Sequence, residues 1–128
     1  MLITGLVLTG VAALVHVYIF YLESFAWTEK RTLATFGMTE QEAEAMRPLA
    51  LNQGYYNLFL AIVTGVGIIL AATGSTAVGA ALVFAGAGSM TAAALVLVAS
   101  DRTKSGAALK QGVVPLLGII ALAAGLQA

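Results

Sequence analysis

Four long apolar runs leave this chain few ways to fold. They extend from about Leu2 to Leu22, Leu49 to Ala72, Thr76 to Ser100 and Ala107 to Leu126. Each is close to the ~20 residues that an α-helix needs to cross the hydrocarbon core of a bilayer. Backbone polar groups find no water there, so each run must satisfy its own as a helix. A membrane β-barrel would show shorter, alternating segments. The expected fold class is all-α: a polytopic membrane four-helix bundle, with residues 1–128 as a single transmembrane domain. Composition agrees. Charged residues make up 9% of the chain and hydrophobic ones 60%, whereas a soluble domain carries about 25% charged residues. A surface so poor in charge suits lipid as its solvent.

The same numbers narrow the functions. A formal net charge of zero offers no basic face to nucleic acid. With no cysteine and one histidine, neither a disulfide frame nor a closed zinc site can be built, so no metal is expected. The N-terminus lacks a basic segment, and its apolar run outlasts a signal-peptide core. It reads as a first span rather than a cleaved leader.

The connections are unequal. Thr73-Gly74-Ser75 is a tight turn, with Gly74 placed to end one helix and Ser75 to cap the next. Ser100 to Gly106 is a short polar loop with Ser105 as a cap. The large first connection, Ser24 to Arg47, contains Thr39 followed by Glu42, a capping box that predicts a short helix from about Glu40 toward Arg47, ending or bending at Pro48. Lys30, Arg31 and Arg47 fall in this connection, and Arg102, Lys104 and Lys110 around the third. The positive-inside rule therefore puts both in the cytoplasm, with the N-terminus, the C-terminus and the Thr73–Ser75 turn outside. The expected location is the bacterial cytoplasmic membrane, crossed several times. Small residues at helical spacing, Ala81, Ala85, Ser89 and Ala93 on the third span and Gly118, Ala121 and Gly125 on the fourth, read as helix packing or as a homo-oligomer contact.

The candidate site follows from polar residues inside apolar helices. His16, Phe20, Glu23 and Trp27 are spaced four, three and four apart, so they share one face if the helix reaches Trp27. Thr9 and Ala13 continue that face. The second span opens Asn52-Gln53-Gly54-Tyr55-Tyr56-Asn57, and the fourth carries Gln111 followed by Pro115, which frees a carbonyl. Polar groups in a span are costly and turn to the bundle interior. His16, Glu23, Trp27, Asn52, Gln53, Tyr56, Asn57 and Gln111 are therefore the expected ligand-binding residues of a cavity at the cytoplasmic side. The bland alternative is a hydrogen-bond network holding helices together, each bond worth about 0.6 kcal/mol. Glu23 would then pair with Arg47 or Lys110, and His16 with an amide or a tyrosine. Tyr18, Tyr21, Tyr55 and Trp27 also suit an interfacial aromatic belt.

Three segments carry a family resemblance. His16-Val17-Tyr18-Ile19-Phe20-Tyr21-Leu22-Glu23-Ser24-Phe25-Ala26-Trp27 and Leu51-Asn52-Gln53-Gly54-Tyr55-Tyr56-Asn57-Leu58-Phe59-Leu60-Ala61 resemble two signatures of the small four-helix bacterial membrane proteins catalogued as domain of unknown function 1304. Gln111-Gly112 with Pro115 is similar to a third, and Phe36-Gly37-Met38-Thr39 fits the connection. The resemblance covers the whole chain and implies the same fold but no settled activity. A looser likeness links Arg47, Ala50 and Asn52 to the eicosanoid- and glutathione-handling four-helix proteins, although Asn57 stands near where that superfamily would place a glutamate. Small multidrug exporters share the size and helix count. Their glutamate lies well inside the first helix, whereas Glu23 lies near its end.

Three classes of function fit these features. The first is binding or transport of a small molecule or lipid, with His16 and Glu23 as proton- or cation-linked groups. The others are a small membrane enzyme and a structural or accessory subunit. Nothing in the sequence specifies a cofactor. The expected partners are membrane lipid, with a homo-oligomer and a small-molecule ligand as further candidates.

Overall fold

The computed structural model describes residues 1–128, as helices with no strand. In order they are α1 (Leu2–Ser24), α2 (Lys30–Phe36), α3 (Glu40–Ala45), α4 (Arg47–Ala72), α5 (Thr76–Ser100), a 3-10 turn (Arg102–Lys104) and α6 (Ser105–Gln127). The four long helices, α1, α4, α5 and α6, are each long and apolar enough to cross a membrane. They form a ring in which α1 packs on α4 and α6, and α5 packs on the same two from the opposite corner.

The long helices begin and end within about two residues of the expected bounds, and the connections are richer than expected. The Thr39–Glu42 capping box is present in both directions and starts α3. That helix stops at Met46, and Pro48 falls in the first turn of α4, where its missing N–H costs nothing. Proline therefore opens the second span rather than ending the short helix. The sequence reading missed α2, a seven-residue helix closed by Gly37 with φ of 62°. Its carbonyl end is satisfied from far away in sequence: Lys104 donates through Nζ to the Phe36 and Gly37 oxygens at 2.8 and 3.0 Å. Gly74 has φ of 111° and makes the α4–α5 turn. Ser75 and Ser105 do not cap through their side chains. Ser75 makes no cap bond. The Ser105 hydroxyl donates backward to the Arg102 carbonyl at 2.6 Å.

Close backbone approach joins the helices. Ser24 of α1 sits on Gly54 of α4, Thr64 of α4 on Gly86 of α5, and Thr9 of α1 on Gly118 of α6, where a Cβ would come within 2.7 Å of the Thr9 methyl. At each of these crossings a hydroxyl-bearing residue occupies the space that a side chain on the glycine would fill. Thr9 and Thr64 donate to the carbonyls of Gly5 and Leu60 in their own helices, both at 2.8 Å, so each stays satisfied without water. Gly67 and Gly79 bring α4 and α5 together near the turn. The Gly118, Ala121 and Gly125 stripe faces α1, as packing required. The Ala81, Ala85, Ser89 and Ala93 ladder does not serve the bundle. All four residues are exposed, and the buried face of α5 runs through Gly79, Ala80, Val83, Gly86, Ala87, Met90 and Ala94 instead. Alanine lines both faces, so small size alone does not mark which one turns inward.

All twelve charged side chains lie at one end of the bundle, and both termini and the Gly74 turn lie at the other. Gly67 and Gly88 give a paired test. A Cβ on Gly67 would come within 2.7 Å of the Gly79 carbonyl oxygen, whereas one on Gly88 would meet nothing within 4 Å. Gly67→Ala is expected to cost about 1–3 kcal/mol through overpacking. Gly88→Ala should leave stability unchanged or raise it by up to about 1 kcal/mol. Reversible unfolding in mixed detergent micelles measures both.

Candidate functional site

The C-terminal half of α1 meets the N-terminal half of α4 at the charged end of the bundle, where Gly54 lets the two backbones close on each other. A Cβ there would lie 3.1 Å from the Phe20 carbonyl oxygen and the Ser24 nitrogen. Across this seam the Ser24 hydroxyl donates to the Leu51 carbonyl at 3.0 Å. The Phe20 ring meets Tyr55 edge-on with centroids 5.0 Å apart. The Asn57 side-chain amide donates to the Glu23 carboxyl at 2.5 Å. The two long motifs, residues 16–27 and 51–61, thus pack against each other.

Glu23 is buried, and no cation pairs with it. The sole ion pair in the chain joins Arg47 to Glu44 at 3.6 Å, on the exposed surface. Arg47 also donates to the Thr28 hydroxyl at 3.3 Å. The bridge from Glu23 to Arg47 or Lys110 that the packing alternative called for is therefore not made. Asn57 divides its amide between Glu23 and the Gln53 carbonyl, the latter at 3.2 Å, and so is fixed in orientation by its own helix. Glu23 accepts from this one side-chain donor.

His16 lies about 10 Å farther along the axis. It is 2% exposed, and its Nδ1 donates to the Ala12 carbonyl at 2.9 Å. A carbonyl only accepts, so Nδ1 carries the proton. Nε2 hydrogen-bonds to no protein group, and it holds a free lone pair whenever the ring is neutral. The histidine is thus bound to its own helix, not to an amide or a tyrosine.

The other candidates are placed differently. Asn52, Gln53 and Tyr56 are exposed, with Tyr56 at 65%. They occupy the outward side of α4, away from buried His16, Glu23 and Asn57. On a helix Asn52, Gln53, Tyr56 and Asn57 span an arc of about 140°, and of the four only Asn57 is buried. Gln111 is half-buried on α6, and buried Pro115 leaves the Gln111 carbonyl without its helical N–H partner. Trp27 is off the expected face because α1 ends at Ser24, and the chain turns before reaching it. Its Nε1 donates to the Ala43 carbonyl at 2.7 Å, and its ring lies 5.5 Å from Phe36. Trp27 therefore ties α2 and α3 down over the end of the bundle. Thr32, fully buried, adds to this by donating to the Ala26 carbonyl at 2.5 Å. Sequence reasoning missed Ser24, Thr32 and Gly54, whose roles depend on partners distant in sequence.

Carboxylates around this end are held by local donors. The Thr39 backbone N–H and then its hydroxyl keep Glu42 below the usual carboxylate range, and the Thr103 hydroxyl and N–H do the same for Asp101. Two recesses lie apart from the polar pair. One is an apolar groove of about 250 Å³ between α5 and α6. The other, of about 210 Å³ between α2 and α6, is lined in part by Lys104 and Lys110.

The sequence model of a family described as a protein of unknown function, DUF1304, matches residues 10–123. The curated relative described as uncharacterized protein YpaA, from Lactococcus lactis subsp. lactis (strain IL1403), is 38% identical over 73 residues, 56% of this chain. The chain spans 58% of that relative's length. No solved structure matches.

The pair makes an asymmetric prediction. Asn57→Ala removes the one side-chain donor to a buried carboxyl and should cost about 1–3 kcal/mol. Glu23→Gln keeps an oxygen for Asn57 and should cost clearly less. Unfolding of the two variants in the same micelles compares them, and equal losses would mean that the pair is not the unit that matters.

Proposed function

The chain belongs to the DUF1304 family, and we propose that it binds or transports a small molecule or lipid at the charged end of the bundle. In this reading that end faces the cytoplasm of a bacterium, both termini face outward, and the bundle sits in the cytoplasmic membrane. The observation that supports it is the buried Glu23 carboxyl, which has an amide for company and no cation. A buried carboxyl group that serves only packing is ordinarily paired. One left unpaired, with a histidine lone pair two turns along the same helix, suits a ligand that brings protons or positive charge. Glu23 and Asn57 would hold the polar group of such a ligand, and His16 would accept a hydrogen bond or a proton deeper in the bundle. Asn52, Gln53 and Tyr56, exposed on α4, would meet the ligand's outer portion or the headgroup layer.

The rest of the bundle favours binding over ion conduction. Beyond His16 the buried polar side chains are Thr9 and Thr64, whose hydroxyls are taken up by their own helices. A continuous aqueous path would need free donors and acceptors at that depth. A second reading, as an accessory subunit, draws on the exposed Ala81, Ala85, Ser89 and Ala93 ladder, a surface of the kind that helices in lipid use to approach one another.

Native mass spectrometry of protein extracted gently with its own lipids tests the proposal. A bound small molecule or lipid is expected on the wild-type chain and lost in Glu23→Ala and His16→Ala, with Glu23→Gln as the better-folded companion. Bare protein in every form would sink the binding reading and leave the accessory one.

A further inference from the structure

The α5–α6 interface lacks the arrangement used at the other three. No hydroxyl sits on a glycine there. Its close contact is Gly112 against Ala94, where a Cβ would come within 2.6 Å of the Ala94 Cβ. At this depth Ala94, Ala108 and Gly112 contribute little beyond backbone, while Leu95, Leu109 and Leu116 stand exposed along the rim. Small residues below and large ones at the sides leave an open apolar groove of about 250 Å³. From Ser105 to Leu116 it runs about 17 Å along α6. Its two hydroxyls need no partner, since Thr91 donates to the Ala87 carbonyl and Ser105 to the Arg102 carbonyl. About 250 Å³ spread over that length is far less than an α-helix with its side chains, about 10–12 Å across, would fill. A single hydrocarbon chain fits it.

The turn that joins the two helices lies just beyond Val98 and Ser105, at the charged end of the groove. Arg102 in that turn is exposed and makes no side-chain hydrogen bond or ion pair. Its charged neighbours are engaged: Lys104 by the Phe36 and Gly37 carbonyls, and Asp101 by the Thr103 hydroxyl and N–H. We propose that the α5–α6 groove holds one acyl chain of an anionic phospholipid, with its phosphate at Arg102. This site is separate from the α1–α4 polar pair and does not rest on the function proposed for it.

The test uses the full chain in detergent with dioleoyl phosphatidylglycerol or dioleoyl phosphatidylcholine, read by native mass spectrometry. The anionic lipid is expected to be retained better. Arg102→Gln, on the exposed turn, should weaken its retention about fivefold, the scale of one cation near an anionic headgroup. Val98→Phe, which fills the groove, should lose both lipids. Equal retention of the two lipids, unmoved by Arg102→Gln, would overturn the proposal. So would a disulfide-linked dimer of Leu109→Cys in membranes, because it would make a second copy the occupant of this face. The chain has no other cysteine, so such a dimer would be unambiguous. Failure here leaves the α1–α4 reading standing, since none of these residues hydrogen-bonds to Glu23 or His16.

Discussion

Everything else in this bundle depends on helix backbones coming close enough to touch. Lipid tails are as apolar as leucine, so burying leucine between helices gains little in a membrane, and packing must supply the attraction. The chain meets this requirement with glycines placed opposite Ser24, Thr64 and Thr9. A hydroxyl is small enough to fill the gap. Thr9 and Thr64 return their hydrogens to the preceding turn, so each is satisfied before any second helix arrives. Ser24 instead donates across the seam to the Leu51 carbonyl, and none of the three depends on water.

The α1–α4 seam combines this packing with a chemical feature. Gly54 and Ser24 set the separation of the two backbones, and that separation lets the Asn57 amide reach the Glu23 carboxyl. Asn57 is held from behind by the Gln53 carbonyl, so the contact is directed rather than incidental. Trp27 and Thr32 then fasten the connecting helices over the same end. Structure and candidate site share one set of residues here. The two long segments that carry the family resemblance, residues 16–27 and 51–61, are the ones that pack together here.

Much of this was legible in the sequence. Four apolar runs fixed the number and length of the spans, Thr39 and Glu42 marked the start of α3, and the intrusion of His16, Glu23 and Asn57 into apolar helices located the polar seam. What could not be read depends on partners far apart in the chain. Nothing local predicts that Lys104 would complete α2, or that the Trp27 indole would find Ala43. Helix rotation was the other hidden quantity. A span with alanine and glycine on every side has almost no amphipathic signal, so the Ala81 ladder and the buried face of α5 looked alike. The same hidden rotation governs Asn52, Gln53, Tyr56 and Asn57, which span an arc of about 140° on a helix: only its Asn57 edge turned inward.

The separation of charge from turn has a consequence for how such a chain is made. The α4–α5 connection is three small uncharged residues, and the termini beside it carry no charged side chain. A hairpin of this kind can enter a bilayer with every ionised side chain left on the side from which it came. Its energetic barrier then reduces to the backbone of one tight turn, which Gly74 makes as small as a turn can be. The same feature makes the finished bundle hard to invert, because turning it over would drag twelve charged groups through hydrocarbon.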